Sequence, residues 1–359
     1  MVLLPMLLGH NLLAQFHTLR MPQPSNQVEE TQRLAVTDIT INYHSPAVRG
    51  RDVWTEVIPQ NGDPIPWRAG ANMNTTIEFS TDVEINGKAL SAGVYGFHVI
   101  PRADRYTLLF AHNHNQWGSY YLNVAEDVSL QVDVQAETCA FSEKLDYEFL
   151  PIAEDSMTIA LEWAERRLPF TVTIDLDETV VNSLRSELRG INTYHWQAWN
   201  DAAQWCLNHD TNLEEALAWA IRSVEGGYGG FAADRNITNM STKARLQKRL
   251  GQKADLDDTV NEMTGMASTA YEANQLSRFL LELAYYQQAE TVCAQALQEE
   301  PDTWFLQLNQ GIANYFLGNQ STAVQLIEKS QSGAPERFHS RLKEIQEEVA
   351  AGSYQLPNG

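Results

Sequence analysis

Residues 67–101 read WRAGANMNTTIEFSTDVEINGKALSAGVYGFHVIP, and the spacing of their turns decides the fold of the first half of the chain. TTIEFS, DVEI and VYGFHVIP are short runs rich in β-branched and aromatic residues, separated by the turns NGK and SAG. Ile77 and Phe79 flank Glu78, a period of two that gives a strand one buried face and one wet face. Outward from this stretch the same kind of run recurs at TDITINY (37–43), YTLLFA (106–111), SLQVDV (129–134), LDYEFL (145–150), MTIALEW (157–163) and PFTVTID (169–175). Many short strands with no helix between them predict an antiparallel β-sandwich, jelly-roll-like, over residues 21–180.

From about Leu184 the period changes to that of helices. WQAWNDAAQWCLN and NLEEALAWAIRSVE predict a helix pair, the second opened by Asn212 as N-cap with acidic residues in its first turn. EGGYGGFAADRN (225–236) is an irregular Gly-rich connection. Beyond it a 34-residue spacing relates Ala289 to Ala323, Cys293 to Ile327, Ala296 to Ser330 and Pro301 to Pro335. Small residues where helices cross, with Pro after the second helix, are the tetratricopeptide pattern, and Gly311, Ala323 and Pro335 take its Gly, Ala and Pro positions. Residues 181–352 are therefore expected to form a short tetratricopeptide-like solenoid of three to four helical hairpins.

The formal net charge of −21 repels phosphate backbones and, with no basic patch to offset it, excludes a nucleic-acid partner. The opening MVLLPMLLGHNLLAQ is apolar for about a dozen residues, which suits a signal-peptide core and is too short to span a bilayer. Residues 1–20 are accordingly expected to be a signal-peptide-like segment, and no later stretch suits a transmembrane span. Cys139, Cys206 and Cys293, odd in number and widely spaced, make no disulfide framework, and the latter two fit helical core positions.

Three strings carry candidate chemistry. TVTIDLDETV (171–180) matches the Asp-x-Asp-x-Thr nucleophile loop of haloacid-dehalogenase-like phosphatases at Asp175, Asp177 and Thr179, but only helices follow where that chemistry needs further parallel strands. In FAHNHNQWG (110–118), His112 and His114 would share one face of an extended strand with His98 nearby, a candidate set of metal ligands. Trp67, Arg68, Asn72, Trp117 and Tyr120 form a polar and aromatic loop set of the kind binding faces use. GxSxG, GxxxxGK[ST], HExxH, CxxC and GxGxxG are all missing, so no cofactor is called for and hydrolases of standard design are excluded.

YHSPAVRGRDVW, WRAGAN, TTIEFS, INGKALSAGVYGFHVIP and NQWGSY, in that order, resemble domain-of-unknown-function family 2911. The resemblance runs over about residues 21–350, because the WQAWNDAAQWCL and NLEEALAWAIRS blocks are similar to a tetratricopeptide-bearing subgroup. At YHSP this chain has His44-Ser45 where many members have Ser-Arg-Pro. The resemblance implies an exported bacterial protein, periplasmic or secreted, of no assigned activity. Two functions fit: a non-catalytic scaffold whose solenoid groove holds a protein or peptide partner, or an enzyme, metal-binding or carbohydrate-binding protein with its site in the sandwich loops.

Overall fold

The computed structural model describes residues 22–63 and 65–357, so the signal-peptide-like segment 1–20 lies outside the described residues. Backbone contacts divide the chain into two compact units, one ending at Val180 and the other beginning at Val181.

The first unit is built from two antiparallel sheets. Strands β1 (Asn26–Leu34), β2 (Thr37–Ser45), β3 (Thr75–Phe79), β4 (Val83–Ile85), β5 (Lys88–Leu90), β6 (Gly93–Pro101) and β7 (Tyr106–Ala111) lead to the short helix α1 (Val124–Asp127), then β8 (Val128–Val134), β9 (Glu137–Ala153) and β10 (Ser156–Thr173). The six-stranded sheet runs β1-β2-β3-β6-β7-β8 and the four-stranded sheet β5-β4-β10-β9. One core draws on both sheets: Phe97 of β6 lies 5.7 Å from Phe170 of β10, and Tyr43 of β2 lies 4.8 Å from Tyr147 of β9. Each large apolar side chain taken from water in this way contributes about 1.5–3 kcal/mol.

Two strands depart from the sequence reading. β1, NQVEETQRL, has only Val28 and Leu34 as apolar residues, six positions apart, too few to show a hydrophobic period. It exists because it pairs residue for residue with β2, with cross-strand contacts such as Arg33–Asp38 and Thr31–Thr40. The runs at 157–163 and 169–175 belong to one strand: β10 continues through Pro169. Its pairing with β9 ends at Arg167 and its pairing with β4 begins at Val172, so the N–H that Pro169 lacks is missed by neither ladder.

The second unit is helical: α2 (Leu176–Glu187, which begins before the division), α3 (Trp196–His209), α4 (Leu213–Glu225), α5 (Ile237–Arg249), α6 (Lys253–Met263), α7 (Ala270–Glu282), α8 (Tyr286–Glu299), α9 (Trp304–Phe316), α10 (Gln320–Gly333) and α11 (Glu336–Ala351). Asp175 precedes α2 and its Oδ1 accepts the Glu178 N–H at 2.9 Å, so the Asp-x-Asp-x-Thr string opens a helix. Asn212 stands at the start of α4 in a left-handed conformation (φ 49°) and donates its amide to Glu215 instead of capping the backbone.

Helices α3 to α10 form four hairpins, and the first helices of successive hairpins touch: α3 with α5, α5 with α7, α7 with α9. The starts of α7 and α9 are 34 residues apart, as are those of α8 and α10, while α5 and α7 start 33 apart. Gly311 marks the α9–α10 crossing, since an added Cβ would stand 2.8 Å from Ile327 Cγ1 and 3.1 Å from the Ala323 carbonyl. Cys206 and Cys293 are buried among helices, and among the described residues no disulfide joins any of the cysteines.

Candidate functional site

Two places merit attention, one in each unit. In the sheet unit, Trp67 exchanges both backbone hydrogen bonds with Val99, at 2.9 and 2.8 Å. Directly paired residues send their side chains to one face, and Val99 faces the core. Trp67 is therefore buried, stacked on Trp163 at 5.8 Å and 12°. This corrects its assignment to a binding face.

Period two sends the next residue, Arg68, to the opposite face, which it shares with His98. The half-buried guanidinium lies 5.5 Å from the centre of the Tyr120 ring and donates to the Asn72 carbonyl. Among the described residues no acidic side chain pairs with it, and burial pushes its pKa below the ordinary value. Gly118 (φ 64°) lies beneath it, where any Cβ would overlap the guanidinium.

His98 is wholly buried and its Nδ1 lies 2.7 Å from Ser119 Oγ. Burial, with Arg68 as the lesser cause, lowers its pKa to about 4, so the imidazole is neutral at ordinary pH. A Ser–His contact can activate a hydroxyl, yet Ser119 is only 1% exposed and among the described residues no acidic side chain orients the ring. Gly96 lets this cluster close, because a Cβ there would stand 2.9 Å from Asn74 Nδ2 and from the Asn113 carbonyl, and 3.1 Å from His98 Nε2. Asn72 Nδ2, Asn74 Nδ2, His98 Nε2 and Gln116 Oε1 are buried with no hydrogen-bond partner among the described residues.

The metal reading fails. β7 ends at Ala111, so His112 and His114 leave the strand; both are exposed, His114 Nδ1 turning back to the His112 carbonyl at 3.0 Å, while His98 is buried against Ser119. Among the described residues no group of three or more His, Cys, Asp or Glu side chains is placed to hold a metal. Trp117 and Tyr120 are exposed. Asn74, Gln116 and Ser119 escaped sequence reading because their partners come from distant turns.

In the helical unit a concave cavity of about 950 Å³ is lined by α3, α5, α7, α9, α11 and the tail after them. Its lining follows the repeat: Tyr271 and Phe305, Asn274 and Leu308, and Arg278 and Ile312 are each 34 residues apart. Its charged residues are Arg245, Arg278, Arg341 and Glu282, a positive balance in a chain of net charge −21. Arg245 pairs with Glu282 at 2.9 Å and Arg341 with Glu344 at 3.0 Å. Asn309 donates to Asn274 and to Ser277, both at 2.9 Å, tying α9 to α7 beneath the surface. Phasing the 34-residue spacing onto the first helix of each hairpin would have found these positions.

Residues 24–172 match a family described as a protein of unknown function, DUF2911. No curated protein matches the chain. Solved structures similar to it include the MamA RS-1 ArsTM double mutant and MamA 41-end from Desulfovibrio magneticus RS-1. Each is 15% identical with a TM-score of 0.29, over 44% of this chain and 89% and 90% of theirs, respectively.

Proposed function

We propose that this protein is a non-catalytic binding scaffold whose helical groove holds an extended segment of a protein partner. The observation that carries the reading is the lining itself: five helices and the tail contribute to one continuous concave surface. Trp304, Phe305 and Phe338 offer rings to apolar side chains, and Asn274 and Gln275 offer amides to a peptide backbone. The excess of arginine over glutamate favours an acidic peptide. A photo-crosslinker at Gln275, exposed in the groove, is expected to capture a discrete partner in native extracts. The same crosslinker at Gln295, exposed on α8 outside the groove, is expected to capture none, and equal capture from both positions would remove the reading.

The apolar segment 1–20 supports export to the periplasm or beyond as part of this proposal. Among the described residues no helix is long and apolar enough to cross a membrane. Fractionation of cells producing the full chain, with sequencing of the mature N-terminus, tests export; an uncleaved cytoplasmic product would refute it.

A further inference from the structure

We infer that Arg68 anchors a binding site for a small oxyanion, a carboxylate or a phosphate-like group, at the end of the six-stranded sheet. The inference is independent of the helical groove. It starts from a charge without a counter-charge. The chain has 46 acidic residues, and Arg33, Arg105, Arg167 and Arg245 each reach one. Arg68 is half-buried, is anchored to the Asn72 carbonyl and the Tyr120 ring, and reaches none among the described residues. A guanidinium withdrawn from water retains that cost until an anion meets its fork of donors.

The surroundings are rich in unused donors. The side-chain amides of Asn72 and Asn74 are buried with no acceptor. His98 Nε2 is likewise unpartnered, and it carries the proton when Nδ1 accepts from Ser119. Gln116 Oε1 is the lone unpartnered acceptor of the group and suits a hydroxyl on the same ligand. Unpaired buried polar atoms each cost about 1–3 kcal/mol, so several in one cluster are not explained by packing alone.

The backbone holds this arrangement at specific cost. Asn72 (φ 58°) and Ala69 (φ 50°) adopt left-handed conformations in the turn that places Arg68, and Gly118 is the residue on which the guanidinium rests. Exposed Trp117, Tyr120 and Tyr121 belong to the segment that supplies Ser119, so an aromatic rim accompanies the donors. Trp67 has no part in this site and supports it only through its pairing with Val99.

The test uses the full chain and four sodium salts at matched ionic strength: acetate, benzoate, phosphate and chloride. Melting temperature and titration calorimetry are expected to show saturable binding of an oxyanion and none of chloride. Acetate or benzoate responding alone assigns a carboxylate; phosphate responding alone assigns a phosphate-like group. Arg68→Gln is expected to weaken binding about ten-fold or more, and the exposed Arg33→Gln to leave it unchanged. Should Arg68→Gln fail to fold, Arg68→Lys, which keeps a cation without the fork, is expected to weaken binding several-fold. No saturable response to any of the three oxyanions, or wild-type affinity in both Arg68 variants, would overturn the assignment.

Discussion

In the sheet unit the buried polar side chains of His98, Asn74 and Gln116 meet once, beside β6 where β3 begins and β7 ends. In the helical unit the groove residues recur once per hairpin, as Tyr271 and Phe305 do. The difference follows from how each unit makes contact. A sheet brings distant turns together at strand ends, so a site there is assembled from residues with no common spacing. A helical repeat stacks like on like, so its surface carries the period of its sequence. The first arrangement concentrates a few donors in one small volume, and the second spreads its side chains along a groove.

The contrast can be broken by mutation. Phe97, fully buried and within 6.2 Å of the rings of Phe110, Tyr147 and Phe170, should cost about 3–5 kcal/mol as Phe97→Ala. Groove residue Leu308, only partly buried, should cost markedly less as Leu308→Ala in the same denaturant titration. Equal losses would erase the distinction between a core position and a lining position.

His98 supplies a pH signature that the groove lacks. Its folded pKa of about 4 lies below the ordinary value of 6.5, so between those pH values the unfolded chain binds a proton that the folded chain refuses. Stability is therefore unaffected above pH 6.5, falls as pH drops, and has lost about 3 kcal/mol from this group below its folded pKa. His98→Gln should flatten that part of the pH–stability curve measured by urea unfolding. An unchanged slope would show that the imidazole is not held neutral.

Gly311→Ala sharpens the other side of the comparison. The added methyl meets Ile327 and the Ala323 carbonyl, and the overpacked crossing should lose about 1–3 kcal/mol, read from the helical signal by circular dichroism. Asn309→Ala removes the two amide bonds to Asn274 and Ser277 and should cost about 1–2 kcal/mol by the same measurement. A loss below that of an ordinary surface change would mean that the polar tie between α7 and α9 contributes no stability.

Much of the fold was legible because it rests on local periods. The alternation at Ile77 and Phe79 reappears as the inward face of β3, and the 34-residue spacing reappears in the starts of α7 to α10. Strand β1 was illegible because it is held by pairing with β2, and only Val28 and Leu34 of its side chains pack against the core. Of the loop set, Arg68 and Asn72 are in contact and Tyr120 joins them, whereas Trp67 turns inward. No sequence rule distinguishes adjacent residues Trp67 and Arg68 in that respect until the bridge to Val99 fixes which face each one takes.

Apart from β1, the sequence by itself determined the types of the main elements, the change from period two to helical period near residue 180, and the repeat. Each follows from side chains a few residues apart. Tertiary structure alone decided that Ser119 meets His98 across 21 positions and that Asn74 meets Gln116 across 42. It also decided that His112 and His114 would not join His98. The physical reason is that a period specifies which face of an element is apolar, whereas a site depends on which turns the sheet register brings to one strand end.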